Sequence, residues 1–190
     1  MKLNTTILLL LLFAFFSCKE NYTPKPKGYM RIDFPKKSYI EYKSDCSFSF
    51  KIPNYSFIDK RKDSVNPCWI NILFPKYKAT LYISYERINN KSDLNNFLED
   101  NRKFLNRHIS KANGIEEELI NDTINRKFGI IYNIEGNVAS SCQFFVTDSN
   151  LHFIRGSLYF YAKPNIDSLL PVVNFIKEDI SYLVKTIKWK

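Results

Sequence analysis

Four cysteines, two histidines and a short run of glutamates are the side chains of this 190-residue chain whose types invite chemistry. No two of Cys18, Cys46, Cys68 and Cys142 stand in the Cys-x-x-Cys spacing of a redox pair. With His108 and His152 added they still lack the ligand spacing of a zinc site. Glu116, Glu117 and Glu118 are consecutive, so a strand points them to alternate faces and no convergent acid/base pair forms. They read as a solvated stretch. His108 falls on the apolar side of a helical pattern and His152 beside Phe153 on a strand, and both read as structural histidines. Gly-x-Ser-x-Gly, His-Glu-x-x-His and Gly-rich phosphate loops are absent from the sequence. The expectation is a protein that is not an enzyme and uses no cofactor or metal.

Cys18 has a more specific setting. Met1-Lys2 is a short basic start, Ile7 to Phe16 is a ten-residue apolar run, and Ser17 is a small residue directly before the cysteine. Residues 1–17 therefore read as a secretory signal peptide, because ten apolar residues fall short of the roughly 20 a spanning helix needs. The Ser-Cys junction resembles the lipobox of bacterial lipoproteins, although Phe15 and Phe16 depart from its usual preferences. That resemblance implies that Cys18 carries fatty acyl groups such as palmitate on its sulfur and its freed amine. Three chains exceed the two signals that stable anchoring requires. Residues 18–28 then form a lipidated tether, with two prolines, three lysines and no aliphatic residue between Lys19 and Lys27. Lys19 in place of Asp implies, by the usual sorting rule, the outer membrane.

With Cys18 given to lipid, three cysteines remain and at most one internal bridge can form. Cys46 and Cys68 both open strands in the N-terminal half and would close a loop of about 23 residues, for roughly 3 kcal/mol. An exported chain meets oxidising conditions, so this pair is the expected disulfide and Cys142 a small buried thiol.

Residues 29–190 read as a single domain. Aromatic residues make up 16% of the chain, which is more buriable surface than a disordered chain carries. From Tyr29 to Tyr85 the apolar period is mostly two, as in Met30-Ile32-Phe34, Cys46-Phe48-Phe50, Ile70-Ile72-Phe74 and Leu81-Ile83-Tyr85. Pro35, Pro53, Pro67 and Pro75 stand at strand ends. Over about 92–112 the period becomes 3.6, with Leu94, Phe97, Leu98, Asn101, Leu105 and His108 on one side and Ser92 or Asp93 as the cap. Strands resume at 115–120, 128–134, 142–147 and 151–161, and a second helix runs over about 168–187, capped by Asp167 or Ser168. This order predicts an α+β domain with a largely antiparallel sheet and two main helices.

The net charge of +9 permits an acidic partner, but export separates the chain from nucleic acid, which is not expected as a partner. The strand Leu151 to Tyr161 alternates Phe153, Arg155 and Tyr159 on one face with His152, Ile154 and Leu158 on the other. His152, Arg155 and Tyr159 are the candidate protein interface, since Arg with Tyr is a pairing enriched at binding hot spots. The competing reading covers the Arg155 face with the final helix and binds Arg155 to a carboxylate such as Asp179.

Several stretches resemble the gliding-motility lipoprotein GldD family of Bacteroidetes. They are Tyr22-Thr23-Pro24-Lys25-Pro26-Lys27-Gly28-Tyr29 with Arg31-Ile32-Asp33-Phe34-Pro35, Cys68-Trp69-Ile70-Asn71-Ile72, the Gly136 to Ser141 turn, Gln143-Phe144-Phe145, His152 to Phe160, and Lys188-Trp189-Lys190. Cys142 departs from the aliphatic residue expected there. The resemblance implies a non-enzymatic lipoprotein of gliding motility and the associated type IX secretion machinery, anchored to the membrane through Cys18 and bound to other machinery proteins. Surface-exported lipoproteins of that phylum carry acidic clusters after the cysteine, whereas only Glu20 follows here, which implies the periplasmic face. A second reading is a periplasmic ligand-binding or chaperone-like lipoprotein, and the element order also resembles the Mog1/PsbP type of α+β sandwich. Cys18→Ala is expected to abolish incorporation of a labelled fatty acid in growing cells. Undiminished label in the variant would refute the lipidation reading.

Overall fold

The structure, a computed structural model, describes residues 31–60, 66–161 and 166–190, the side chains at 108, 109, 166 and 167 excepted. The expected signal peptide, Cys18 and the expected tether lie outside the described residues. Ten strands and two helices follow in the order β1 (Tyr39–Lys43), β2 (Phe48–Pro53), β3 (Phe57–Lys60), β4 (Ile70–Phe74), β5 (Ala79–Arg87), α1 (Lys91–Ile109), β6 (Gly114–Asp122), β7 (Lys127–Glu135), β8 (Ser140–Thr147), β9 (His152–Phe160), α2 (Ile166–Thr186) and β10 (Lys188–Trp189). The expected α+β class with antiparallel pairing is what forms. Seven strands make one antiparallel sheet in the order β3-β4-β5-β9-β8-β7-β6, and β1-β2-β10 make a second. Helix α1 carries the chain from β5 to the far edge, and three hairpins bring it back until β9 lies against β5. Turn chemistry drives those hairpins: Gly136 takes φ of +103°, and Asp148 Oδ1 accepts the backbone N–H of Asn150, Leu151 and His152.

Side-chain alternation gives the large sheet two unlike faces. One is largely apolar, with Ile72, Leu81, Ile83, Phe144, Val146, Ile154 and Leu158 nearly free of solvent. Val172, Ile176, Ile180, Leu183 and Val184 of α2 and Phe48, Phe50 and Ile52 of β2 complete that core. Full burial of each such side chain contributes about 1.5–3 kcal/mol. Gly156 is required here, because a Cβ on it would stand 2.2 Å from the Phe144 ring. The other face carries a smaller apolar cluster of Ile88, Leu105, Ile134, Val138, Phe145 and Phe153, against which Phe97 and Leu98 of α1 pack.

Asp179 of α2 is 1% exposed in the midst of the first core. It accepts hydrogen bonds from Lys37 Nζ (2.9 Å), Tyr39 Oη (3.0 Å) and Tyr55 Oη. Burial, and then the bond to Asp179, push both phenols above their ordinary pKa. Lys37 Nζ also donates to the Phe175 carbonyl at 2.6 Å.

Four local readings change, one being that α2 begins at Ile166, so that Asp167 and Ser168 lie inside its first turn rather than capping it. Arg31 to Phe34 alternates like a strand but pairs with no strand among the described residues: Ile32 and Phe34 pack on the core, Phe34 stacking 4.3 Å from Phe175, while Arg31 and Asp33 form an exposed ion pair. Tyr29 and Met30, the start of that reading, lie outside the described residues. The cap of α1 is Asn90 rather than Ser92 or Asp93; its Oδ1 accepts the N–H of Asp93, whose own carboxylate reaches back to the N–H of Asn89. Strands β1, β3 and β10 join those read from the sequence.

Cys46 and Cys68 form the expected disulfide, with Cα atoms 5.9 Å apart, tying the approach to β2 to the approach to β4. Cys142 is the buried free thiol, pushed by burial up to about 12. Replacing both Cys46 and Cys68 by Ala is expected to lower unfolding free energy by about 3 kcal/mol in urea titrations. An unchanged midpoint would show that the bridge adds no constraint.

Candidate functional site

A cleft of about 500 Å³ lies between α1 and the less apolar face of β4, β5 and β9. Its helical wall is set by period: Phe97, Asp100, Asn101, Phe104 and Arg107 recur every three or four residues and so share one side of α1. Its sheet wall is set by register, which places Ser84 opposite Arg155 and Tyr82 opposite Ser157. Trp69 and Asn71 close the β4 end.

Arg155 is the centre of this arrangement. Its guanidinium carbon sits 4.0 Å from the Phe104 ring centroid, and Nη2 donates to Ser157 Oγ at 3.2 Å. Arg107 lies 5.0 Å from the same ring on its own helix. Desolvation, with Tyr159 and Asp100 opposing and Arg107 adding, lowers the pKa of Arg155, yet a guanidinium stays charged at any pH the fold meets. The carboxylates of the cleft have other partners: Glu86 Oε1 accepts Trp69 Nε1–H at 2.9 Å, and Asp100 pairs with Lys103 at 3.0 Å. Arg155 Nε, Asn101 Oδ1 and both amide atoms of Gln143, the register partner of Ser157, are buried without a hydrogen-bond partner. Among the described residues no three His, Cys, Asp or Glu side chains gather as a metal site. No helix among them is long and apolar enough to cross a membrane.

The three candidate interface residues do not come together. Arg155 and Tyr159 line the cleft, whereas His152 points to the opposite face, its ring stacked 5.1 Å from Trp189 and Nδ1 sharing a hydrogen bond of 2.8 Å with Tyr85 Oη. The cover over Arg155 is also not the one anticipated. Helix α1 lies there, and Asp179 is occupied on the far side of the sheet by Lys37, Tyr39 and Tyr55. Glu116, Glu117 and Glu118 are exposed on the edge strand β6, as a solvated stretch should be. The residues that went unread as site members are Trp69, Phe104, Arg107 and Asn101, although the inward period of α1 already contained Asn101.

The family model described as "Gliding motility lipoprotein GldD" matches residues 19–189. No curated protein matches significantly. Among solved structures, cyanobacterial PsbP (CyanoP) from Synechocystis sp. matches with a TM-score of 0.47 at 11% identity, over 85% of this chain and 98% of that one.

His152 gives a pH test of the local packing. Burial lowers its pKa, with Arg87 and Arg126 adding and Asp148 opposing. The unfolded chain therefore takes up this proton at a higher pH than the folded one, and stability falls as pH drops below about 6.5. Asp148 is buried, which alone would raise it, but backbone N–H donors hold it below the ordinary carboxylate range, so its contribution disappears only at still lower pH. Melting temperature is expected to fall between about pH 7 and pH 5.5, and His152→Gln to flatten that slope. An equal slope in the variant would assign the loss elsewhere.

Proposed function

The chain belongs to the gliding motility lipoprotein GldD family, and we propose that it serves there as a non-enzymatic component acting through protein contacts in the gliding and associated type IX secretion machinery. Acylated Cys18 holds it at the outer membrane, on the periplasmic face, and the tether lifts the domain from the lipid. The observation that carries the protein-contact reading is the cleft under α1. Its walls are aromatic and amide side chains around a stacked, desolvated arginine, which is the composition of a binding hot spot. Its carboxylates are held by Trp69 and Lys103 rather than set beside a nucleophile.

A second reading, a ligand-binding lipoprotein, is favoured by the cleft volume, which falls within the usual range of small-molecule sites. Purification from membranes separates the two, because stoichiometric machinery subunits support the first and a co-purifying small ligand the second.

Arg155→Ala combined with Tyr159→Ala is expected to abolish surface spreading while shifting the melting temperature by less than about 3 °C, the shift of a 1 kcal/mol change in a domain of this size. Loss of accumulation, or normal spreading at normal levels, would overturn the assignment of the contact to this cleft.

A further inference from the structure

We propose that the cleft under α1 receives an acidic segment of a partner protein, whose Asp or Glu side chain pairs with Arg155 while a neighbouring apolar side chain lodges among Phe97, Phe104 and Trp69. This rests on the protein-contact reading given above.

Charge is the first support. Asp100 shares its charge with Lys103 and Glu86 holds the Trp69 indole, whereas Arg155 makes no ion pair among the described residues. A desolvated cation without a directly paired carboxylate is costly, and a carboxylate in contact is the group that relieves it best. Stacking on Phe104 and the bond to Ser157 already hold the guanidinium in one orientation, so little freedom is lost when an anion arrives.

The second support is the set of orphaned polar atoms. Asn101, which lines the cleft, is 2% exposed with Oδ1 unpartnered, and Arg155 Nε is likewise buried without a hydrogen-bond partner. An amide oxygen that lacks a donor and a guanidinium N–H that lacks an acceptor complement a peptide backbone, which offers N–H and C=O together. Buried groups of this kind are ordinarily satisfied. Among its described side chains α1 buries only Asn101 and Leu105, whereas α2 buries Val172, Val173, Ile176, Ile180, Leu183 and Val184.

The test uses the full-length protein in detergent micelles and a displayed library of random, C-terminally amidated peptides, so that only side-chain carboxylates supply an anion. Enriched peptides are expected to carry Asp or Glu at one fixed position beside an aromatic or aliphatic residue. Exchanging that acid for its amide should weaken binding at least tenfold, as should Arg155→Gln, with Arg155→Lys keeping part of the affinity. Enrichment without an acid, no enrichment, or affinity indifferent to Arg155→Gln would each overturn the proposal. Should Arg155→Gln fail to accumulate, the acid-to-amide exchange on the unaltered protein decides alone. Loss of spreading in the Arg155 and Tyr159 variant with no acidic peptide selected would leave the contact reading standing and remove only its carboxylate chemistry.

Discussion

A carboxylate with 1% exposure inside a helix can persist only where every lone pair is met, and Asp179 imposes that condition on the rest of the domain. Its partners come from outside α2: Lys37 precedes β1, Tyr39 opens β1, and Tyr55 follows β2. Meeting Asp179 therefore fixes the angle at which α2 crosses the small sheet and draws the N-terminal strands over the large one. Removing one member of such a buried set typically costs about 3–5 kcal/mol, because a charge remains behind without compensation. The disulfide acts in the same direction, linking the entries to β2 and β4 by covalent means. Phe34 and Phe175 stack beside the clasp, and Lys37 lies 4.1 Å from the Phe175 ring centroid, so the polar set is enclosed by aromatic surface.

Sealing one face so thoroughly allows the other to be different. Stability comes mainly from the side where Phe144 meets Gly156 and α2 closes the core. Across the sheet the same strands set Arg155, Ser157 and Asn71 toward α1, where Arg155 Nε and Asn101 Oδ1 are left without partners. An unpartnered buried polar group costs about 1–3 kcal/mol, and a fold retains several in one place only when something other than folding requires them. The contrast between the two helices has a physical origin. Helix α2 presents Val172, Ile176, Ile180 and Leu183 to the sheet, whereas α1 seats Leu98 and Leu105 on the smaller cluster and turns Asn101, Phe104 and Arg107 to the cleft.

How much of this was readable from the chain depends on the range of the interaction. Strands β4, β5, β7, β8 and β9 and both helices declared themselves through local period, since one buried face leaves its mark on every second or third residue. Strands β1 and β3 did not, because β1 has no fully buried residue and Phe57 of β3 is 60% exposed. Arg31 to Phe34 misled for the complementary reason: alternation records that one side is buried, and says nothing of whether a neighbouring strand is there to pair. The same alternation separates His152 from Arg155 and Tyr159. Which helix would cover Arg155 was beyond local reading, because both are amphipathic and only the crossover from β5 to the β6 edge decides that α1 lies there. The cap of α1 was missed by two residues, a distance set by a single hydrogen bond from Asp93 to Asn90.

The central claim is that the cleft under α1, and not an exposed edge of the sheet, is where a partner protein sits. The most direct measurement places a photoreactive phenylalanine analogue at position 104 in gliding cells, with positions 119 and 124 as controls, since Leu119 on β6 and Ile124 in the following turn are both strongly exposed. A partner in the cleft gives a discrete cross-linked species from position 104 and none from 119 or 124. Adducts from 119 or 124 with none from 104 would contradict the claim.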